Sequence, residues 1–328
     1  MVAQVDSRFT KRTKLKTFTR YLSYLLYEGR PLTTKGRWIN PLVFALYRLQ
    51  ELLPFAKKVE KPVFILGTGR SGTTILGVTL GIHKDVGFLN EPKALWSHLY
   101  NDEDLIGSYQ NKVGRYFLTE QDANNTLKVN AHKIFGSYLR FTLSNRVVDK
   151  YPELIFRVPF VKEIFPDAKF LFLFRNGWDT CHSIKHWSER LGVADNGNTH
   201  DWWGVNNRKW IALCDQVLLQ DPELKDNYGT IKNYTDHVAM AAVEWILTMK
   251  QGLSLSQNSD VYAVKYEQFV TDSSFRDEIL KFCDLSPDTN FNDYCSEVLK
   301  SPKKKSPIVL PIEISEEFNR IMKLLGYE

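Results

Sequence analysis

The octapeptide Gly67-Thr68-Gly69-Arg70-Ser71-Gly72-Thr73-Thr74 has the spacing of a phosphate-cradling loop, G-x-x-x-x-G-K-[ST], with Thr73 where that pattern carries lysine. Glycines let successive backbone N–H groups converge on an oxyanion, and a helix that starts after the loop adds the positive end of its dipole. In a nucleotide triphosphatase, the lysine and a hydroxyl-bound Mg²⁺ balance the β- and γ-phosphates, and an acid at the end of another strand helps hold the metal. Here the apolar run 169–174 ends in Arg175, where that acid would stand. Arg70 is left as the loop's fixed cation, and its planar fork suits a tetrahedral oxyanion. The pattern points to a smaller anion held without an obligatory metal. The plain alternative is a tight turn joining a strand to a helix, for which so many hydroxyl and cationic residues are superfluous.

The elements that must position this loop are legible around it. Pro62 precedes the apolar run VFILG, and the loop is followed by TTILGVTLGIH, an apolar stretch of helical length. Short apolar runs at 86–89, 169–174 and 261–266 predict further strands. Their continuous apolar character suits strands covered on both faces. The expected fold is α/β, a P-loop-type layered fold with a central parallel β-sheet of about five strands flanked by helices. Leu42, Val43, Leu46, Leu49, Leu52 and Leu53 recur at helical intervals and predict an amphipathic helix over 37–58. Residues 184–252 turn Trp-rich and polar before a helical stretch, and are expected to form an acceptor-side insertion at the sheet edge. The chain thus divides into a basic helical segment, 1–60, packing on or near the core, and a single domain, 61–328.

With 328 residues and 43% hydrophobic content, the chain can bury a large core. No 18-residue apolar run is present to span a bilayer. Cys181, Cys214, Cys283 and Cys295 are too dispersed for a C-x-x-C pair, and the N-terminus lacks an apolar core with a cleavage site, so reduced thiols and a cytoplasmic location are expected. Of the net charge of +5, residues 1–60 contribute +8 and the rest −3. Solvated faces of helices packed beside the core explain that basicity most simply. A docking arm for an anionic membrane surface or partner is the alternative, and no nucleic-acid partner is expected.

Three segments together resemble the sulfotransferases that use 3′-phosphoadenosine 5′-phosphosulfate (PAPS), and in particular the tyrosylprotein-sulfotransferase branch. They are GRSGTTIL…HKDVGFLNEP at 69–92, DKYPELIFRVPFVKEIFPDAKFLFLFRNGWDTCHSI at 149–184, and VYAVKYEQFVTDSSFRDEILKFCDL at 261–285. The resemblance implies that Gly69, Arg70, Ser71, Gly72, Thr73 and Thr74 hold the 5′-phosphosulfate and that Glu91 is the base for an acceptor hydroxyl. It also implies that Arg70 and Lys150 face the departing bridging oxygen, and that Arg175 and Ser183 grip the 3′-phosphate. The product would be the 3′,5′-adenosine diphosphate, with no metal required. Glu91 is expected in a partly desolvated pocket that raises its pKa. Asn176 replaces the family's usual acid, and Trp178 its common arginine.

Acceptors compatible with this reading are a tyrosine or phenol, a carbohydrate, and a lipid or small-molecule alcohol. Trp187, Trp202, Trp203, Trp210 and Trp245 could wall an acceptor cleft or fill the core. Lys303, Lys304 and Lys305 could reach the 3′-phosphate or form a solvated charge run. His182 and His186 have the spacing of a two-histidine metal site but no third ligand pattern, so no metal site is expected. The competing readings are a metal-dependent P-loop kinase or nucleotide hydrolase, and a non-catalytic nucleotide-binding protein of the same fold.

Overall fold

The computed structural model describes residues 4–54, 56–195, 197–301 and 305–327. Its centre is a sheet of five strands: β1 (Val63–Gly67), β2 (Val86–Asn90), β3 (Arg146–Lys150), β4 (Lys169–Phe174) and β8 (Val261–Lys265). A separate small antiparallel sheet holds β5 (Val193–Asp195), β6 (Asn198–Asp201) and β7 (Gly204–Val205). The central order is β2-β3-β1-β4-β8, and every pairing in it is parallel. All five strands therefore end at one edge, where Gly67, Asn90, Lys150, Phe174 and Lys265 lie. Ligands of open α/β sheets bind outside this carboxyl edge, where the chain leaves the ladder.

The apolar runs are continuous because both sheet faces are covered. Phe64, Leu66, Phe170 and Phe172 join a core with Trp96, Phe135 and Trp245. Their neighbours Val63, Ile65, Leu171 and Leu173 join another with Leu76, Leu80 and Ile279. Alternate residues of each strand thus feed opposite layers, as the pleat requires. Strand β3 is the one that apolar runs did not mark. Its sequence, RVVDK, carries two apolar residues between charges, yet it lies between β2 and β1 and is nearly all buried.

The amphipathic helix expected over 37–58 is shorter: a 3₁₀ turn, Arg37–Ile39, leads into the helix Asn40–Leu52. Pro54 explains the stop, since the residue before a proline is driven out of helical geometry and Leu53 is extended. Some of the N-terminal basicity is consumed by packing. In the helix Lys14–Leu26, Lys16 donates to the Val86 carbonyl at 2.7 Å, and burial pushes its ammonium down to about 8 against the opposing pull of Asp85 and Asp288. Arg20 forms a buried bidentate pair with Glu28 at 2.5 and 2.9 Å.

Within 184–252, the helix His237–Leu255 is a buried layer against the sheet, where a Cβ on Gly252 would fall 2.1 Å from the Phe172 ring. It also packs along the helix Gly177–Leu191. The small sheet and the helix Arg208–Gln216 form the more polar part of the segment.

Candidate active site

The loop after β1 is shaped by backbone geometry that few residues tolerate. Gly67 (φ 139°) and Gly72 (φ 110°) occupy the left-handed side of φ space, and a Cβ at either would strike the Leu173 carbonyl or the Tyr266 ring. Ser71 closes the turn by donating its hydroxyl to the Thr68 carbonyl at 2.5 Å. Gly72 then caps the helix Thr73–Leu80, so the first N–H groups of Thr73 and Thr74 lack intrahelical partners and are available to an anion. Thr68 Oγ1 is buried without a hydrogen-bond partner. Sequence spacing had not singled it out.

Arg70 and Glu91, two of the residues expected to do chemistry, are non-glycine residues with positive φ, at 69° and 50°. Such geometry costs on the order of 1–3 kcal/mol per residue and persists only where the surroundings fix it. For Glu91 the fixing contact is its own N–H, which donates to the Lys150 carbonyl at 2.7 Å. Arg70 is exposed and donates from Nε to Ser183 Oγ at 3.2 Å. One contact therefore joins the residue expected at the 5′ end of the donor to one expected at its 3′-phosphate.

Lys150, at the end of β3, is 2% exposed and donates from Nζ to Glu91 Oε1. Lys93 Nζ lies 3.5 Å from the other Glu91 oxygen. Burial alone would raise the Glu91 pKa, but the Lys150 and Lys93 cations outweigh it and hold the carboxyl below its ordinary value. The raised pKa expected from desolvation is corrected on this point: the pocket supplies paired cations as well as low polarity.

Arg175 follows β4, with Nη2 3.0 Å from Asp179 Oδ2 and its guanidinium 4.8 Å from the centre of the Tyr266 ring. Its Nε is buried without a partner. Asn176 has a local role, because its side chain accepts from Trp178 N and Asp179 N and so caps the helix Gly177–Leu191. Trp178 packs on Phe318, with ring centres 4.5 Å apart. Lys305 donates its backbone N–H to Asp179 Oδ1 at 2.7 Å, which brings the C-terminal segment beside Arg175. Lys303 and Lys304 lie outside the described residues.

A cavity of about 450 Å³ opens beside these groups, walled by Gly69, Arg70, Thr74 and Glu91 on the loop side. Trp187 and Trp202 line it and meet edge to face at 5.4 Å. Trp203, Trp210 and Trp245 instead fill the core. Trp202 presses on the loop, since a Cβ at Gly69 would fall 2.4 Å from its ring. Its indole N–H donates to Glu244 at 2.7 Å, and Glu244 pairs with Lys209 at 2.6 Å. Lys209 and Lys93 both reach Glu153, at 3.3 and 3.4 Å. This buried chain of alternating charges connects the Trp202 wall to Glu91, and spacing gave no sign of it because its members lie far apart in sequence.

Three other lining residues carry polar atoms without partners: Asn90 Oδ1, Tyr109 Oη and both ring nitrogens of His200. Residues 28–31 of the N-terminal segment complete the wall. His182 donates from Nε2 to the Ser306 carbonyl at 3.2 Å, and among the described residues no group of three or more His, Cys, Asp or Glu side chains could hold a metal ion.

The glycine-rich loop thus lies at the carboxyl edge of a parallel sheet and shares one cavity with the Glu91 carboxylate. The sequence profile described as "Sulfotransferase family" matches residues 62–225, half of the chain, and the chain belongs to that family. It is 32% identical over 214 residues to a protein-tyrosine sulfotransferase of Drosophila melanogaster, a match covering 63% of this chain and 40% of that protein. A putative protein-tyrosine sulfotransferase of Caenorhabditis briggsae is 24% identical over 194 residues, covering 54% of this chain and 66% of the other. The matches thus span about two fifths to two thirds of these relatives' lengths. Among solved structures, the sulfotransferase domain from the curacin biosynthetic pathway superposes with a TM-score of 0.47 at 14% identity, covering 83% of this chain and 99% of that one. A sulfotransferase from Mycobacterium avium gives 0.46 at 13% identity, covering 100% and 98%.

Proposed function

We propose that the protein transfers the sulfuryl group of PAPS to an acceptor hydroxyl, with Glu91 taking the hydroxyl proton. The observation that carries this reading is that Arg70, Thr74 and Glu91 wall one cavity, with Lys150 bonded to Glu91 from behind. The residues also fit the donor's anionic groups: Thr68 Oγ1 and Arg175 Nε are buried polar atoms without partners, and each could meet an anionic oxygen.

When bound, the donor supplies an activated sulfuryl group on a phosphate leaving group. The chain's own residues supply positioning, a base and countercharge. The N–H groups of Gly72, Thr73 and Thr74 and the two threonine hydroxyls would hold the 5′ end, while the Ser71 N–H and hydroxyl, both engaged by the Thr68 carbonyl, would set the shape of the turn. Arg175 and Ser183 would hold the 3′-phosphate, with Tyr266 as a flat support for the guanidinium. Glu91, kept ionised by its lysine partners, is ready to accept a proton at neutral pH. As that proton arrives, the Lys150–Glu91 pair weakens, and the Lys150 ammonium becomes free to meet negative charge growing on the leaving oxygen. Arg70 provides the second cation there.

The acceptor would enter past Trp187 and Trp202, and Asn90, Tyr109 and His200 offer unmet hydrogen-bonding capacity on that side. An unpaired buried polar group costs on the order of 1–3 kcal/mol. An acceptor bearing further hydroxyl or amide groups would recover part of that cost. This favours a polar acceptor such as a carbohydrate or a peptide tyrosine over a bare hydrocarbon alcohol.

Calorimetry in EDTA tests the donor assignment. Tight binding of 3′,5′-adenosine diphosphate with negligible ATP binding is expected, and the reverse pattern would identify a metal-dependent kinase or hydrolase instead. Transfer from labelled PAPS, screened across carbohydrate, tyrosine-peptide and lipid alcohols, then separates an active enzyme from a nucleotide-binding relative that has lost activity.

A further inference from the structure

Eight of the nineteen large apolar side chains exposed among the described residues fall between Leu15 and Leu52. They form two stripes. Leu15, Phe18 and Leu25 recur at intervals of three and seven on the helix Lys14–Leu26. Leu42, Leu49 and Leu52 recur at intervals of seven and three on the helix Asn40–Leu52, with Trp38 one turn ahead of them. Trp38 is 82% exposed and Leu52 79%, although the opposite face of the same helix buries Val43, Tyr47 and Gln50 completely. A helix normally turns its apolar stripe to the core, so a second stripe left in water marks a surface meant to be covered.

The exposed charges within residues 11–52 are of one sign. Lys11, Lys14, Lys35, Arg37 and Arg48 are exposed. The acids of the same region are engaged elsewhere: Glu28 is buried against Arg20, and Glu51 meets His98 at 2.9 Å. Apolar side chains led by a tryptophan and rimmed by lysine and arginine suit an interface that is apolar beneath and anionic at its surface.

We infer that residues 11–52 form a peripheral docking face for an anionic lipid bilayer, with Trp38 and the leucines entering the headgroup region and the basic residues pairing with lipid phosphates. A second copy of the chain would cover the leucines but would meet the same five cations with like charge. The inference stands on exposure and charge, independently of the catalytic reading. One link joins the two: Pro31, Thr33 and Thr34, just before Trp38, line the active-site cavity. An acceptor displayed on the bilayer would be within the same segment's reach.

Co-sedimentation of the full chain with vesicles tests this. The chain is expected to pellet with phosphatidylcholine vesicles containing about 30 mol% phosphatidylglycerol, to pellet much less with phosphatidylcholine alone, and to be released at roughly 0.5 M salt. The double variant Trp38→Ser/Leu49→Gln should lower partitioning roughly tenfold or more, with its thermal melt unchanged because both side chains face water. Lys35→Ser/Arg37→Ser should lose mainly the preference for anionic vesicles. The inference is overturned if the parent stays in the supernatant with both vesicles, or if Trp38→Ser/Leu49→Gln pellets like the parent. It is equally overturned if the parent ignores lipid but self-associates in sedimentation equilibrium while that variant is monomeric, because the face would then be an interface between copies.

Discussion

Lys150 donates its ammonium hydrogen bond to the Glu91 carboxylate, so the group assigned to the leaving oxygen and the group assigned to the acceptor proton are each other's partners. The pairing follows from register, since β2 and β3 run side by side with Asn90 opposite Lys150 and the next residue is Glu91. In the proposed reaction a base held this way would be ionised but not yet free, and its proton uptake would release the lysine.

Glu91→Gln should reduce transfer by about 10²- to 10⁴-fold while leaving the affinity for 3′,5′-adenosine diphosphate within a few-fold of the parent. Lys150→Met should also slow transfer, but with a different signature. Removing the cation raises the Glu91 pKa toward its ordinary value or above, so the acidic limb of the pH–rate profile moves to higher pH. Near-normal turnover in Glu91→Gln, or an unmoved acidic limb in Lys150→Met, would remove these assignments.

Arg175→Ala should weaken the 3′,5′-diphosphate by about 1.5–3 kcal/mol, roughly ten- to a hundredfold, by loss of charge-assisted hydrogen bonds. Adenosine 5′-phosphosulfate, which lacks the 3′-phosphate, should bind parent and variant alike. Calorimetry with the two ligands separates loss of a phosphate contact from general damage to the site.

Lys209→Met should destabilise the fold by about 3–5 kcal/mol at neutral pH, because Glu244 and Glu153 would remain buried with one cation fewer. Glu153 shows the sign of the pH dependence. Burial raises its pKa, but Lys93 and Lys209 outweigh it and hold the folded value well below the ordinary glutamate value of 4.5. Its stabilising contribution is therefore complete above that value and is lost as pH falls toward the lowered one. Urea unfolding should show the gap between parent and Lys209→Met narrowing below about pH 4.5, and Lys209→Met/Glu244→Gln should recover part of the loss at neutral pH.

Asp149, fully buried beside Lys150 in sequence, behaves in the opposite sense. Burial pushes its carboxyl up to about 8, although Trp96 donates to Oδ2 at 2.8 Å and opposes the shift. The folded chain then holds a proton that the unfolded chain has released above about 3.8. This group therefore lowers stability as pH climbs from there to about 8. Asp149→Asn removes the titration. The stability difference, measured by urea unfolding from pH 5 to 9, should move in the variant's favour up to about pH 8 and level off above it, and a constant difference would mean that Asp149 is ionised throughout.

Four of the five central strands were legible as short apolar runs: β1, β2 and β4 are buried almost throughout, and β8, at the sheet edge with Ala263 exposed, still reads as one. Strand β3 was not, since Arg146, Asp149 and Lys150 break its run, and only its place between two covered strands makes such a sequence tolerable. The loop's place between β1 and the helix Thr73–Leu80 was legible, because the glycines and hydroxyl residues that shape such a turn are local in the chain. Arg175 and Ser183 lie only eight residues apart, just after β4 and within the helix that follows it.

What the sequence determined by itself was the class of fold and the strand–loop–helix setting of the glycine-rich loop, since periodicity and a short-range motif act between near neighbours. Tertiary structure alone decided the pairing of Lys150 with Glu91 and the direction of the Glu91 pKa. It also decided the buried Lys93–Glu153–Lys209–Glu244 chain and the exposure of Trp38 and Leu52. Each of these depends on which distant side chain, or how much water, stands next to a group, and that neighbour is fixed only when the strands and helices pack.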